Sequence, residues 1–212
     1  MTESAVTISR DLIKKLPKTD LHVHLDGSVT PQTIVELAKK QKIDLIDVAK
    51  KQGLANLKTG DASELEKKIF KESYQSLAEY LVSFEFINIV LRCYDGLKEA
   101  SYRLACDNFK EGVRYVEVRF APQKHWGSDF DWVDIVKAVD DGFKQAAKEY
   151  NQKKEIKSGE EPEYKYGIIL CAIRMINQNM GKYYRYLYEL HVGADLQNLA
   201  AMSSYEVAKL VN

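Results

Sequence analysis

Apolar and polar residues alternate from Thr19 to Leu25: Leu21, Val23 and Leu25 fall on one set, Asp20, His22 and His24 on the other. That is the period of a strand, and it predicts a short buried strand over about 19–25 that ends in a turn at Gly27. Thr30-Pro31 then opens a helix, with a hydroxyl N-cap and proline in the first turn. Its inner face is Ile34, Val35, Leu37 and Ala38, and it runs to about Lys42. A short helix over about Leu45–Lys51 stops at Gly53, and 56–62 is loop. Ser63-Glu64-Leu65-Glu66 has the spacing of a capping box and opens a helical stretch, continuous or broken, that reaches about Arg92. In it Leu77, Tyr80, Leu81 and Phe84 recur at helical period. Core packing is the ordinary meaning of such a stripe. A lid is the other, because the stretch is a long excursion after the first strand.

The same two periods organise the rest. A helix over about Asp95–Lys110, with Leu97, Ala100, Leu104, Ala105 and Phe109 inward, ends at Gly112, well placed as a left-handed C-cap. Val113–Phe120 is a second strand, with Val116, Val118 and Phe120 on one face and Tyr115, Glu117 and Arg119 on the other. Glu117 and Arg119 are expected to form a structural ion pair or the floor of a polar cavity. Residues 122–130 form a loop in which His125 reads as surface beside Trp126. A helix over about Trp132–Tyr150 carries Val133, Val136, Val139, Phe143 and Ala147 inward, and 151–163 is a solvated connection. Tyr166–Arg174 is a nearly continuous apolar run, the pattern of a parallel strand covered on both faces. A tyrosine-rich helix (about Gly181–His191) and a second capping box at Ser203–Glu206, opening a last short helix, close the chain. His191 at a helix C-terminus suits the dipole and needs no ligand role.

Strands alternating with helices imply right-handed βαβ crossovers and a parallel sheet. Only three strands are visible in 212 residues, and the second starts at residue 113. A complete (β/α)₈ barrel takes about 250 residues. The fold expected is therefore α/β: one domain, 1–212, forming the N-terminal three βα units of a TIM barrel, with a helical lid-like insertion at about 44–92. The alternative is a short protein that completes its sheet with a partner.

Composition removes several classes of function. The chain has 31 basic and 31 acidic side chains, a net charge of zero, so no basic surplus points to nucleic acid or an anionic membrane. No apolar run approaches the roughly 20 residues that span a bilayer, and the N-terminus lacks an apolar signal region. Cys93, Cys106 and Cys171 lie far apart without a C-x-x-C pair, which fits reduced thiols in the cytoplasm.

The chemistry concentrates at one strand end. On a strand, His22, His24 and Asp26 point to one face, and each buried polar group needs a partner. Two neutral imidazoles one pleat apart can reach one divalent ion at about 2.0–2.1 Å; hydrogen bonds to neighbouring carbonyls are the other way to satisfy them. Parallel α/β folds place their sites at the C-terminal ends of strands, where these residues lie.

Leu16-Pro-Lys-Thr-Asp-Leu-His-Val-His-Leu-Asp-Gly-Ser28 resembles the opening strand of the adenosine deaminase family, zinc-dependent barrel hydrolases of the amidohydrolase group. Glu111–Pro122 and Leu170–Arg174 agree with that family in order and spacing, so the resemblance covers nearly the whole chain. It implies that His22 and His24 are ligands of one Zn²⁺, that His24 and Asp26 contact the ribose end of a purine nucleoside, and that Leu77, Tyr80, Leu81 and Phe84 flank the substrate entrance. Aspartate at 26 followed by Gly27-Ser28 favours adenosine over adenine. The resemblance also implies a third zinc histidine, an H-A-G-E glutamate and a metal-binding aspartate beyond the third strand; no H-x-G-E pattern occurs here, so no catalytic acid or base is assigned in this chain. The expected activity of the complete protein is hydrolytic deamination of adenosine and 2′-deoxyadenosine in purine metabolism. The alternatives are a non-catalytic or partner-completed short form, and an adenine or nucleotide deaminase; the lack of a glycine-rich phosphate loop weighs against the nucleotide.

Overall fold

The computed structural model describes residues 8–54, 56–126, 131–174 and 176–211; the start of the polar lead-in and part of the 122–130 loop lie outside them. The lead-in contains a helix the hydrophobic pattern does not announce, α1 (Arg10–Lys15). Ser9 caps it, its Oγ accepting the Leu12 N–H at 3.1 Å, and it buries no residue. Strand β1 (Lys18–His24) follows, then a 3₁₀ turn over Asp26–Ser28. Helices α2 (Pro31–Gln41), α3 (Leu45–Lys51), α4 (Ala62–Lys68), α5 (Leu77–Leu91) and α6 (Tyr94–Lys110) lead to β2 (Val113–Phe120). Then come α7 (Trp132–Tyr150), α8 (Lys154–Lys157), β3 (Lys165–Leu170), α9 (Lys182–Leu190) and α10 (Leu196–Lys209). Among the described residues no helix is long and apolar enough to cross a membrane.

The three strands form one parallel sheet in the order β1-β2-β3. Gly112, at φ 82°, turns the chain from α6 into β2, and its carbonyl accepts the first sheet-edge hydrogen bond, from the Lys18 N–H at 2.9 Å. Val116, Val118 and Phe120 are buried on the outer face, in one core with Leu97, Ala105, Val139 and Phe143 of α6 and α7. These two helices pack closely because Gly142 has no side chain: a Cβ there would lie 2.3 Å from the Lys98 carbonyl oxygen. Val133 is 64% exposed, so the inner face of α7 is rotated from the expected one, and Ile135, Ala138 and Ala146 take the buried places.

Helix ends follow the capping rules, though not always at the expected residue. Thr30 caps α2, its Oγ1 accepting the Thr33 N–H at 3.2 Å. The expected box at Ser63 is not a helix start: Asp61 caps α4, and Glu64 instead reaches back to accept the N–H groups of Lys58, Thr59 and Gly60. The long helical stretch is broken after α4 and restarts at Ser76, the cap of α5. Likewise α10 begins at its cap Asp195, and Ser203 is a fully buried mid-helix residue bonded to Gln123 Nε2 at 3.2 Å.

Two strand expectations are corrected. β1 is an exposed strand: it pairs on one side only among the described residues, and Leu21 is 54% exposed. β3 ends at Leu170, four residues early, and is half-buried rather than covered on both faces; the Cys171 N–H to the Phe120 carbonyl, at 2.8 Å, is its last bond to the sheet. A strand is buried only where a neighbour covers it, and one edge each of β1 and β3 has no strand beside it among the described residues.

Candidate active site

The C-terminal end of β1 is irregular. Asp20 lies opposite Val116 and Val23 opposite Val118, so three steps on β1 face two on β2. This bulge re-aims the side chains around Leu21 and His22. His22 and His24 are both exposed, and their ring centroids lie 5.3 Å apart at 39°. Asp26 does not continue the strand face, as the alternating pattern suggests; it sits in the 3₁₀ turn, 6% exposed. Its Oδ1 lies 4.0 Å from His24 Nδ1, too far for a hydrogen bond, and is buried with no partner. Leu25 is fully buried just before it and fixes the turn, and Ser28 Oγ donates to the His24 carbonyl at 2.7 Å.

Arg119 holds this strand end. It lies opposite His24 in the register, its Nη2 donates to the Leu21 carbonyl at 2.8 Å, and its carbonyl accepts the Leu25 N–H at 3.0 Å. The expected Glu117–Arg119 ion pair does not form. Glu117 instead accepts from the Tyr115 hydroxyl at 3.1 Å, so the guanidinium is spent on the bulged backbone, whose freed carbonyl needs a donor.

A cavity of ≈ 430 Å³ opens in front of β1. His22, His24, Gly27 and Ser28 line one side, Tyr80 and Phe84 of α5 the other. The stripe on α5 therefore divides. Leu77 and Leu81 are 71% and 50% exposed and do not line the cavity, whereas Tyr80 packs edge-on against Phe84 at 5.3 Å and Tyr74 at 5.1 Å. None of the four is core. A larger hollow, ≈ 700 Å³, lies at the opposite end of the strands, but its Arg114 is already paired with Glu161 at 2.8 Å.

The loop after β2 holds what the pattern missed. Pro122–Lys124 is a 3₁₀ turn, and His125, expected at the surface, is wholly buried with neither ring nitrogen hydrogen-bonded. Burial, with the cations Lys124 and Arg92 nearby, pushes its pKa down to about 3, so the ring is neutral. No sequence signal marks it: the apolar neighbours that bury it come from distant elements.

Two imidazoles side by side suit a zinc ion, and the orphaned Asp26 oxygen suits a polar ligand group. Among the described residues, however, no cluster of three or more histidine, cysteine or carboxylate side chains forms a metal site. The donor set fits part of a zinc centre.

A parallel βα sheet with polar groups gathered at the C-terminal end of its first strand defines the N-terminal part of a TIM-barrel hydrolase of the amidohydrolase type. Solved structures agree on the fold. Adenine deaminase from Arthrobacter aurescens matches with a TM-score of 0.55 and 19% identity, over 88% of this chain and 45% of that one. An amidohydrolase from Burkholderia ambifaria with bound Zn matches at 0.54 and 17% identity, over 84% and 42%. The chain belongs to the adenosine deaminase family: the sequence profile described as "Adenosine deaminase" matches residues 17–184. Adenosine deaminase of Shewanella woodyi is 37% identical over 139 residues, 65% of this chain but only 38% of that protein's length.

Proposed function

We propose that these 212 residues are one domain, the first part of a barrel whose complete form deaminates adenosine and 2′-deoxyadenosine to inosine and 2′-deoxyinosine. In that reaction water adds at C6 of the purine and ammonia leaves. The observation that carries this reading is the pairing of His22 and His24, 5.3 Å apart at a strand end, beside a buried and unpartnered Asp26 oxygen.

In this reading His22 and His24 hold zinc through neutral imidazole nitrogens. When bound, zinc lowers the pKa of a water molecule toward neutrality. This chain's own residues bind and orient. His24 and Asp26 take the ribose end, where Asp26 Oδ1 gains the donor it lacks. Tyr80 and Phe84 supply an apolar wall and exclude water from one side, with the helical insertion at about 44–92 as a lid. Arg119 keeps the strand end in its bulged form. A third histidine and the glutamate that moves the proton are expected outside these residues. Purine metabolism in the cytoplasm is the proposed setting, and a small nucleoside the proposed ligand.

The test is turnover by the full-length protein, with adenosine, 2′-deoxyadenosine and adenine compared side by side. Adenosine and its deoxy form are expected to be converted with the higher kcat/KM. Faster conversion of adenine would assign the site to a base deaminase, and no turnover of any of them would favour the partner-completed reading, which the open edge of β1 otherwise supports.

A further inference from the structure

Phe84, a wall of the cavity that faces His22 and His24, carries a cation on its ring: Lys124 Nζ lies 5.7 Å from the ring centroid. Among the described residues this ammonium forms no ion pair, unlike Lys68, Lys71 and Lys137, each held by a carboxylate. The carboxylates of the cavity region, Asp20 and Asp26, lie on the β1 side, and Asp20 Oδ1 already accepts the His22 N–H at 3.3 Å.

The position of Lys124 is fixed from below. Its N–H donates to the Ala121 carbonyl at 3.1 Å, and the next N–H, of His125, donates to the Pro122 carbonyl at 3.0 Å. Gln123, on one side of it, is 1% exposed and bonded to Ser203; His125, on the other, is wholly buried. The turn stands at the C-terminal end of β2, the same end of the sheet as His24. An unpaired ammonium on a rigid base at the rim of a partly apolar cavity is a preorganised anion contact.

We infer that Lys124 is a specificity-determining residue of this same site, giving it affinity for a purine nucleoside that carries a phosphate. The inference rests on the deaminase reading above, and it assigns to one side chain what a glycine-rich loop does elsewhere. The ammonium attracts the phosphate as a point charge and leaves the neutral nucleoside nearly unaffected.

The experiment uses the full-length protein and measures kcat/KM for adenosine 5′-monophosphate and for adenosine, in the wild type and in Lys124→Met and Lys124→Glu. The partly exposed side chain makes no contact the fold depends on, and melting temperatures check this. The expected result is a fall of roughly tenfold for the monophosphate in Lys124→Met, a larger fall in Lys124→Glu, and adenosine within about twofold; added salt shrinks the difference. An unchanged ratio of the two substrates, or a monophosphate that is not turned over while adenosine is, overturns the inference and leaves the deaminase reading standing. Failure to turn over either substrate overturns both.

Discussion

His125 makes stability depend on pH, and the size of the effect follows from its burial. Its ring is fully buried, neither nitrogen has a partner, and Lys124 and Arg92 add unfavourable positive potential. The folded pKa is pushed down to about 3, against 6.5 for the free side chain. Above pH 6.5 the ring is neutral in both states and contributes no pH dependence. Below it the unfolded chain takes up a proton that the folded chain refuses, so stability falls as pH falls, and the fall is complete near pH 3. At about 1.36 kcal/mol per pH unit, the loss from this residue is roughly 2 kcal/mol at about pH 5 and roughly 5 kcal/mol in all. Replacing His125 with leucine removes the titration and two unsatisfied nitrogens together, so the variant is expected to be at least as stable as wild type at neutral pH. The assay is urea unfolding of the full-length protein and of His125→Leu, each at about pH 7.5 and about pH 5. The wild type is expected to lose roughly 2 kcal/mol more than the variant between the two conditions. Equal losses would refute the reasoning, because they would mean that His125 finds a proton acceptor or solvent in the folded state.

Three further outcomes are expected. Arg119→Met removes the donor to the Leu21 carbonyl and is expected to lower kcat for adenosine about tenfold, with Arg119→Lys restoring part of it, as steady-state kinetics can show. Gly142→Ala forces a Cβ to 2.3 Å from the Lys98 carbonyl and is expected to cost about 2 kcal/mol or more in urea unfolding, by prying α6 from α7. Asp26→Asn keeps the shape of the buried side chain but not its charge. It is expected to raise KM for adenosine about tenfold while melting temperature stays near wild type.

Much of the fold is legible because local signals and tertiary packing agree. Thr30-Pro31, Gly53 and Gly112 mark element ends through backbone chemistry that needs no partner, and α2, α3, α6, α7 and β2 fall where those signals put them. The false capping boxes at Ser63 and Ser203 show the limit of such signals. Serine three residues before glutamate also fits within a helix, and the real caps, Asp61 and Asp195, each accept the N–H three residues on. Burial is less legible, because it depends on what lies opposite. Val133 faces out although it matches the stripe, and His125 is buried although it sits in a polar loop. At the site, the His22–His24 pair is visible from spacing alone. The bulge in β1, the 3₁₀ turn that hides Asp26 and the Arg119 bond to Leu21 arise from pairing between segments nearly 100 residues apart, which no local pattern encodes.

The central claim is that His22 and His24 hold a zinc ion on which turnover depends, and metal content tests it most directly. The full-length protein and its His22→Ala and His24→Ala variants would be purified and assayed for bound zinc and for deamination of adenosine, with melting temperature as a check on folding. The account predicts about one zinc per chain in the wild type, and loss of both metal and turnover in each folded variant. Zinc content and turnover both at wild-type levels in the variants would contradict it.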